Sequence, residues 1–198
     1  MNAVIFDYRA GNLHSLAKAI ARTGVSVSFE TDPEQAATGD ILILPGVGAF
    51  APAAARLAPG RAAIRAAISA GLPCLGICLG MQLLFDLSEE GPGEGLGVLQ
   101  GRVTRLQSTR VPQIGWNQLE NTTDPLAIAA NLTTAYFANG FVCEAEDERI
   151  VTAWTEHEGR VFPSIVRKDN VVGTQFHPEK SSEPGLRFIE RFVMECQR

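Results

Sequence analysis

The sequence predicts an α/β fold in which a mostly parallel central sheet carries helices on both faces. In the first half, short apolar runs alternate with helical patterns four times, which is typical of parallel βα units. The run Ile41–Leu44 is apolar at every position, as expected for a central strand that is buried on both faces. Neither a linker nor an internal repeat divides the chain, so we predict a single domain over residues 1–198.

The elements of the first half follow from the spacing of apolar residues and from turn residues. The predicted strands are 3–8, 25–29, 41–44 and 72–77. The predicted helices are 13–20, a brief stretch from Pro33, 61–70 and 81–85. Gly24 and Gly71 end two of these helices, because glycine readily adopts the conformation that closes a helix.

The second half contains strand-like segments with short polar connections. They are residues 98–106, 136–143, 150–154, 160–166 and 171–176. The sequence Lys168-Asp169-Asn170 predicts a hairpin turn between the last two. We therefore expect antiparallel strands in the C-terminal half that extend or flank the parallel core. A final helix is predicted from Pro184, with one apolar face.

Charge and hydropathy exclude several classes of function. The net charge is −5 and no run of Lys or Arg is present, which argues against binding to nucleic acid or to anionic membranes. No apolar stretch approaches the ~18 residues of a membrane span. The N-terminal apolar run has no basic region before it and no small-residue cleavage site after it, so it does not resemble a signal peptide and we expect a cytoplasmic protein. In that compartment a disulfide framework is not expected, and Cys74, Cys143 and Cys196 are interpreted as packing residues.

Gly76-Ile77-Cys78-Leu79-Gly80 is the most informative short motif in the chain. It has the form Gly-x-nucleophile-x-Gly, follows a predicted strand and opens a predicted helix, as a nucleophile elbow requires. The start of the following helix would stabilise a thiolate at Cys78. The alternative is a buried cysteine in an ordinary strand-to-helix turn, because such pentapeptides also occur by chance.

A thiol nucleophile needs a general base, and the chain offers three histidines, of which His177 is the best placed. It follows a predicted strand and precedes Pro178, which cannot continue a sheet. Glu179, two residues later, could orient the imidazole and stabilise its cation. His14 and His157 are interpreted as a helix residue and a solvated turn residue.

The segment Pro45-Gly46-Val47-Gly48 follows the central strand. Glycines there allow backbone N–H groups to approach a ligand, as an oxyanion hole requires. The segment matches neither a phosphate-binding loop nor a dinucleotide fingerprint. No cluster of His, Cys, Asp and Glu has metal-ligand spacing, so we predict neither a metal nor another cofactor.

These motifs together resemble the signatures of the class I (triad-type) glutamine amidotransferases, a family with a flavodoxin-like fold. The resemblance rests on residues 76–82, 45–48 and 175–181. Two further segments, residues 7–13 and 115–117, resemble those of the glutaminase subunit of imidazole glycerol phosphate synthase. The likeness runs in the same order from residue 4 to about residue 193.

The resemblance implies a hydrolysis of glutamine to glutamate and ammonia. Cys78 would attack the side-chain carboxamide, His177 would move protons and Glu179 would orient His177. Val47 and Leu79 would donate the oxyanion-hole N–H groups.

The resemblance also implies substrate-binding and partner-binding residues. Gly48 and Gln82 would position glutamine. The ammonia would pass into a (β/α)₈-barrel synthase that makes imidazole glycerol phosphate and an aminoimidazole carboxamide ribotide in histidine biosynthesis. Asn12, Trp116 and Lys180 match family positions near the interface of that heterodimer.

The chain departs from the family pattern at three positions, and three alternatives stay open. The family usually has His at the position of Gln113, and His-Ser at Asn139-Gly140. These differences favour, as a first alternative, a glutaminase of the same class that serves a different synthase. A free-standing cysteine hydrolase is the second, although Gln82 and residues 45–48 argue against it. A non-catalytic binding subunit is the third, and the intact catalytic trio argues against it.

Overall fold

The computed structural model describes residues 1–11 and 13–197. Asn12, which the sequence analysis placed near a partner interface, lies outside the described residues. No helix in these two ranges is both long and apolar enough to cross a membrane.

Strands and helices are numbered along the chain. The strands are β1 Asn2–Phe6, β2 Ser26–Glu30, β3 Ile41–Leu44, β4 Cys74–Ile77, β5 Leu87–Ser88, β6 Gly101–Arg105, β7 Gln113–Gln118, β8 Thr134–Asn139, β9 Phe141–Ala145, β10 Val151–His157, β11 Arg160–Lys168 and β12 Val171–Thr174. The helices are α1 His14–Ala21, α2 Pro33–Ala36, α3 Phe50–Leu57, α4 Arg61–Ser69, α5 Leu79–Gln82, α6 Pro125–Ala130 and α7 Ser182–Glu195. Single 3₁₀ turns span Ala58–Gly60, Glu148–Ile150 and Pro178–Lys180.

A seven-stranded sheet forms the centre of the molecule, in the order β10-β11-β12-β4-β3-β1-β2. The five strands from β12 to β2 are parallel, and β11 and β10 extend this sheet antiparallel at one edge. Two smaller sheets, β5-β6-β9 and β7-β8, complete the C-terminal half. The predicted fold class, a mostly parallel sheet with antiparallel additions, is confirmed.

Helices cover both faces of the central sheet, as predicted. Along β3, Ile41 and Ile43 belong to a core that includes residues of α1, α6 and α7. Leu42 and Leu44 belong to a second core that includes residues of α2, α3, α4 and α5. Alternate side chains of a strand point to opposite faces, so one apolar run supplies both cores.

Several predicted boundaries of strands and helices were wrong. The strand expected over 136–143 is interrupted at Gly140, and its two parts belong to different sheets. The strand expected over 98–106 begins only at Gly101, and the one over 171–176 ends at Thr174. Helix α7 begins at Ser182 rather than at Pro184, because proline fits within the first turn of a helix.

Two helices and two strands were not predicted, and one of these strands is the two-residue β5. Helix α6 carries a start signal that could have revealed it, because Asp124 caps the backbone N–H groups of Leu126 and Ala127 and precedes a proline. Helix α3 has no side-chain cap, so the sequence before it carries no start signal for a helix. Strand β7 has an alternating burial pattern that a period of two could have revealed.

Candidate active site

Cys78 lies in a strained turn between the central strand β4 and helix α5. Its backbone angles are φ 48° and ψ −105°, a conformation that costs a non-glycine residue about 1–3 kcal/mol. Such strain is typical of a nucleophile elbow, and it places the side chain at the start of the helix. As predicted, Cys78 lies between a strand, β4, and a helix, α5.

The two flanking glycines are required by close backbone contacts. A Cβ at Gly80 would lie 1.9 Å from the carbonyl oxygen of Leu44, on the neighbouring strand β3. A Cβ at Gly76 would lie 2.7 Å from the carbonyl oxygen of Gly80. Larger side chains at either position would push the elbow away from the sheet.

Strand β12 brings His177 to the elbow. It pairs in parallel with β4, and the N–H of Cys78 donates a 2.6 Å hydrogen bond to the carbonyl of Thr174, the last residue of β12. Three residues later, the buried ring of His177 hydrogen-bonds to Cys78 and, through Nδ1, lies 2.9 Å from Oε1 of Glu179. The structure thus brings together Cys78, His177 and Glu179, in the order expected for a nucleophile, its base and an orienting carboxylate.

Opposing influences set the pKa of His177. Burial of the ring lowers this pKa, but the hydrogen bonds and negative charges of Cys78 and Glu179 act more strongly in the other direction. Together they raise the pKa of His177 to about 10. The imidazolium form of His177 is thereby favoured at neutral pH, as expected for a histidine that serves a cysteine nucleophile.

Gly46 approaches the candidate catalytic pair more closely than sequence reasoning anticipated. A Cβ at this position would lie 2.9 Å from each of three atoms: Cys78 Cβ, His177 Cε1 and the carbonyl oxygen of Ile77. The sequence identified residues 45–48 as a glycine-containing segment for an oxyanion hole, but it did not predict that Gly46 lies against both Cys78 and His177. A glycine directly after a central strand was the available signal.

The structure places the predicted oxyanion-hole residues around the same elbow. Leu79 is the first residue of α5, so its N–H has no acceptor within the helix. Gly48 has φ 100°, and a Cβ there would lie 3.6 Å from the Leu79 side chain. A Cβ on Gly11 would lie 2.6 Å from Cβ of Val47, so the loop before α1 packs directly against Val47.

Gln82 is buried and belongs to a series of amide contacts that leads to the nucleophile. Its Nε2 lies 3.3 Å from the carbonyl oxygen of Phe141 and 3.3 Å from Oε1 of Gln175. In turn, Nε2 of Gln175 lies 3.5 Å from Sγ of Cys78. Sequence reasoning missed Gln175, although it is a fully buried polar residue within the motif that contains His177.

Strand β8 runs along the opposite side of the site. The carbonyl of Tyr136 accepts a 2.8 Å hydrogen bond from the N–H of His177, and the carbonyl of Ala138 lies 3.9 Å from Sγ of Cys78. Ser181 holds β8 and His177 together, because its hydroxyl accepts a hydrogen bond from the N–H of Tyr136 and donates one to the carbonyl of His177. Sequence reasoning missed Ser181, a buried serine that follows Lys180 in the same motif.

Two of the three predicted partner-binding residues lie together at the edge of the site. Trp116 is 55% exposed and its ring contacts Tyr136 edge-on, with centroids 6.3 Å apart. Nζ of Lys180 lies 6.0 Å from the centre of the same tyrosine ring. Ile114, two residues before Trp116 on β7, is 67% exposed. Ile114, Trp116, Tyr136 and Lys180 form what we call the aromatic edge.

The remaining cysteines lie outside this arrangement. Burial raises the pKa of Cys74 and that of Cys143 well above the ordinary value, and it raises the pKa of Cys196 to about 11. All four cysteines are free thiols. Within residues 1–11 and 13–197, no group of three or more His, Cys, Asp or Glu side chains could hold a metal ion.

Comparison with known proteins assigns the chain to a class. A family model described as glutamine amidotransferase class-I matches residues 4–196. The elbow cysteine, the histidine beside it and the α/β fold agree with that match, and the chain belongs to the class-I glutamine amidotransferases.

Curated relatives narrow the assignment within this class. A protein of Symbiobacterium thermophilum, "imidazole glycerol phosphate synthase subunit HisH", is 45% identical over 94% of this chain and 90% of the relative. Proteins with the same description from Geobacillus thermodenitrificans and Natronomonas pharaonis are 44% and 40% identical, over at least 96% of this chain and 93% of each relative. The chain is therefore a member of the HisH family.

Solved structures show the same fold at much lower identity. A crystal structure of a glutamine amidotransferase superposes with a TM-score of 0.77 at 22% identity, covering 99% of both chains. The structure of PurLQS from Thermotoga maritima superposes with a TM-score of 0.69 at 21% identity, covering 98% of both chains.

Proposed function

We propose that this chain hydrolyses L-glutamine to glutamate and ammonia and delivers the ammonia to a synthase subunit. The observation that carries the proposal is the contact between Cys78, His177 and Glu179 on a strained elbow, in a chain of the HisH family. In support of one domain over residues 1–198, the family match extends from residue 4 to residue 196.

The first half of the reaction forms a thioester. The thiolate of Cys78 attacks the side-chain carbonyl carbon of glutamine, and a C–S bond forms while the carbonyl electrons move to oxygen. The N–H groups of Val47 and Leu79 donate to this oxyanion. His177 gives its proton to the carboxamide nitrogen, the C–N bond breaks, and ammonia leaves.

The second half of the reaction releases glutamate. His177, now neutral, takes a proton from water as the water oxygen attacks the thioester carbon. The oxyanion forms again and collapses, the C–S bond breaks, and Cys78 leaves as the thiolate. Glu179 keeps Nδ1 of the imidazole protonated throughout, so that the other ring nitrogen faces the reacting atoms.

Two residues position the substrate in this proposal. The backbone of Gly48 lies beside the oxyanion donors, and the side-chain amide of Gln82 is held near Cys78 through Gln175. A buried amide with defined hydrogen bonds loses little entropy when it binds a ligand, so it recognises glutamine effectively.

The partner is proposed to be a (β/α)₈-barrel synthase, which forms a heterodimer with this chain. It would use the ammonia to make imidazole glycerol phosphate and an aminoimidazole carboxamide ribotide in histidine biosynthesis. Support comes from the relatives, which are described as subunits of imidazole glycerol phosphate synthase. Support also comes from the aromatic edge, where Ile114 and Trp116 are exposed next to the strand that lines the site. The proposed partner contact includes this edge with its Lys180, and it also includes Asn12, which lies outside the described residues.

The proposed reaction uses neither a metal nor an organic cofactor, because thiolate, imidazole and backbone donors suffice for acyl transfer. A cytoplasmic location is proposed as well, and the four free thiols support it.

Glutamate release, measured with and without a cognate barrel synthase and its ribotide substrate, tests the proposal. We expect low activity for the chain alone, a strong increase with the loaded partner, and no activity for Cys78→Ala. Activity that is indifferent to the partner would contradict the assignment to histidine biosynthesis. Persistence of activity in Cys78→Ala would contradict the chemistry.

A second candidate function is glutamine hydrolysis for a different synthase. Gln113, Asn139 and Gly140 favour it, because they replace the residues usual in the family at positions close to the site. Stimulation of glutamate release by another synthase, but not by the barrel enzyme of histidine biosynthesis, would select this alternative.

A further inference from the structure

Gln113 and Asn139, two of the departures from the family pattern, are direct neighbours in the fold. They face each other as the first residue of β7 and the last residue of β8. Each side chain is only 4% exposed. Gln113 Oε1 and Asn139 Oδ1 are both buried, and neither has a hydrogen-bond partner among residues 1–11 and 13–197. The pair therefore presents two acceptor oxygens that the described part of the chain leaves unsatisfied.

The pair adjoins the proposed substrate-binding amide. Nδ2 of Asn139 donates a 3.1 Å hydrogen bond to the carbonyl of Phe141, and Nε2 of Gln82 lies 3.3 Å from the same oxygen. Gln82 continues through Gln175 to Sγ of Cys78. Gln113 and Asn139 thus stand at the far end of the amide series whose other end is the nucleophile.

An unpaired buried acceptor destabilises the folded state, and an isosteric apolar side chain would remove that cost. Two such acceptors side by side at the candidate site indicate a ligand that supplies donors. Glutamine supplies N–H donors both at its carboxamide and at its α-ammonium group. On the basis of the proposed function, we propose that Gln113 and Asn139 are specificity-determining residues whose free oxygens accept N–H groups of bound glutamine.

The test replaces Gln113 by methionine, which keeps the length of the side chain and removes the acceptor. In the complex with its synthase, we expect Gln113→Met to raise the KM for glutamine about tenfold, as for the loss of a strong hydrogen bond. The melting temperature of the same variant rises, because the unpaired oxygen is gone. Thr122→Val is the matched control, since Thr122 also carries a buried unpaired oxygen but lies in the loop before α6. It leaves KM unchanged.

Each other result overturns the inference. A higher melting temperature with an unchanged KM would mean that the oxygen is merely unsatisfied. A lower melting temperature would mean that it holds a structural water or another part of the chain. If the wild-type protein releases no glutamate, the proposed function itself is wrong. If the wild type is active and Gln113→Met has the same KM, only the present inference is wrong.

Inhibition by glutamate, the product of the reaction, shows which N–H group of glutamine donates to Gln113. Glutamate retains the α-ammonium group but lacks the carboxamide nitrogen. A Gln113→Met variant that binds glutamate more weakly as well points to the α-ammonium group. A variant that loses affinity for glutamine alone points to the carboxamide. Either result supports the acceptor pair.

Discussion

The charge of the His177 ring depends on its two neighbours, Cys78 and Glu179. The ring is buried, which by itself would keep the imidazole neutral, yet Cys78 and Glu179 raise its pKa to about 10. Sequence reasoning could identify these three residues, because their motifs are local. It could not give their contacts, because those depend on the pairing of β12 with β4.

Glu179→Gln lowers the pKa of His177, because the amide carries no negative charge to stabilise the imidazolium. We expect kcat for glutaminase activity to fall roughly 100-fold or more, which is within the range of general acid–base effects. NMR titration of the His177 ring in the wild type and the variant checks the cause. An unchanged titration with reduced kcat would contradict this explanation.

The raised pKa of His177 also makes stability depend on pH. The folded state holds the proton more tightly than the unfolded state, whose histidine has a pKa near 6.5. This contribution is complete below pH 6.5 and is lost as pH rises towards 10. Thermal unfolding of the wild type should therefore show a decline over this window that is smaller in Glu179→Gln. If the melting temperatures of the two proteins fall equally between pH 6.5 and pH 10, protonation of His177 does not contribute to stability in this way.

Gly46→Ala displaces the candidate catalytic pair, Cys78 and His177, without removing either side chain. The new Cβ would lie 2.9 Å from both Cys78 and His177, so one of them has to shift. A displacement of about 1 Å lowers kcat roughly 100-fold, whereas crowding in a packed region costs about 1–3 kcal/mol of stability. Steady-state kinetics together with urea unfolding separates the two effects. A folded variant with normal kcat would show that this contact is unimportant.

At the scale of elements, the βα units of the first half were predictable and several later elements were not. Apolar runs such as Ile41–Leu44 specify buried strands through their own composition. By contrast, Gly140 divides one apolar run between two sheets, and helix α3 lacks a start signal. Such boundaries depend on the strands and helices against which a segment packs, so the local pattern of apolar and polar residues does not determine them.

The turn between β10 and β11 anchors the segment that leads into β7. Ser108, Thr109 and Arg110 all donate hydrogen bonds to the carboxylate of Glu158, and they lower its pKa to about 2. The stabilisation is complete above the ordinary pKa of about 4.5 and is lost as pH falls towards 2. Glu158 therefore keeps residues 108–110 ordered next to the aromatic edge at neutral pH.

Glu158→Gln weakens this anchor without changing the core. We expect the backbone amides of Thr109 and Arg110, which donate to Glu158, to exchange with solvent several-fold faster in the variant. Hydrogen exchange at neutral pH measures this directly, and amides of β3 serve as the internal reference. Equal exchange at Thr109 and Arg110 in both proteins would rule out the anchoring role.

At the scale of the whole molecule, one buried ion pair joins the last third of the chain. Asp124 is fully buried, caps α6, and pairs with Nε of Arg167 at 2.9 Å. Arg167 also pairs with Glu195 of α7 at 2.9 Å. The hydroxyl of Thr152 on β10 donates to the same carboxylate. Two strands and two helices therefore share one network.

Arg167→Met tests the importance of this network. It leaves the Asp124 carboxylate buried without its cation, so we expect a loss of about 3–5 kcal/mol in the free energy of unfolding. Glu195→Gln removes only a half-exposed partner and costs less than about 1 kcal/mol. Urea unfolding of both variants gives the comparison. Equal losses of unfolding free energy in the two variants would show that the buried Asp124–Arg167 pair stabilises the fold no more than the exposed one.

The sequence alone determined the fold class, the elbow cysteine, the histidine–glutamate pair and the resemblance to a family. Each of these rests on residues that are close together in the chain, where spacing and residue type dictate local geometry. Only the tertiary structure revealed that Gly46 lies against both Cys78 and His177, that Gln175 links Gln82 to Cys78, and that Gln113 and Asn139 are neighbours whose oxygens lack a partner among the described residues. These contacts join segments distant in sequence, and they exist because strand pairing and packing of the two cores fix which segments meet.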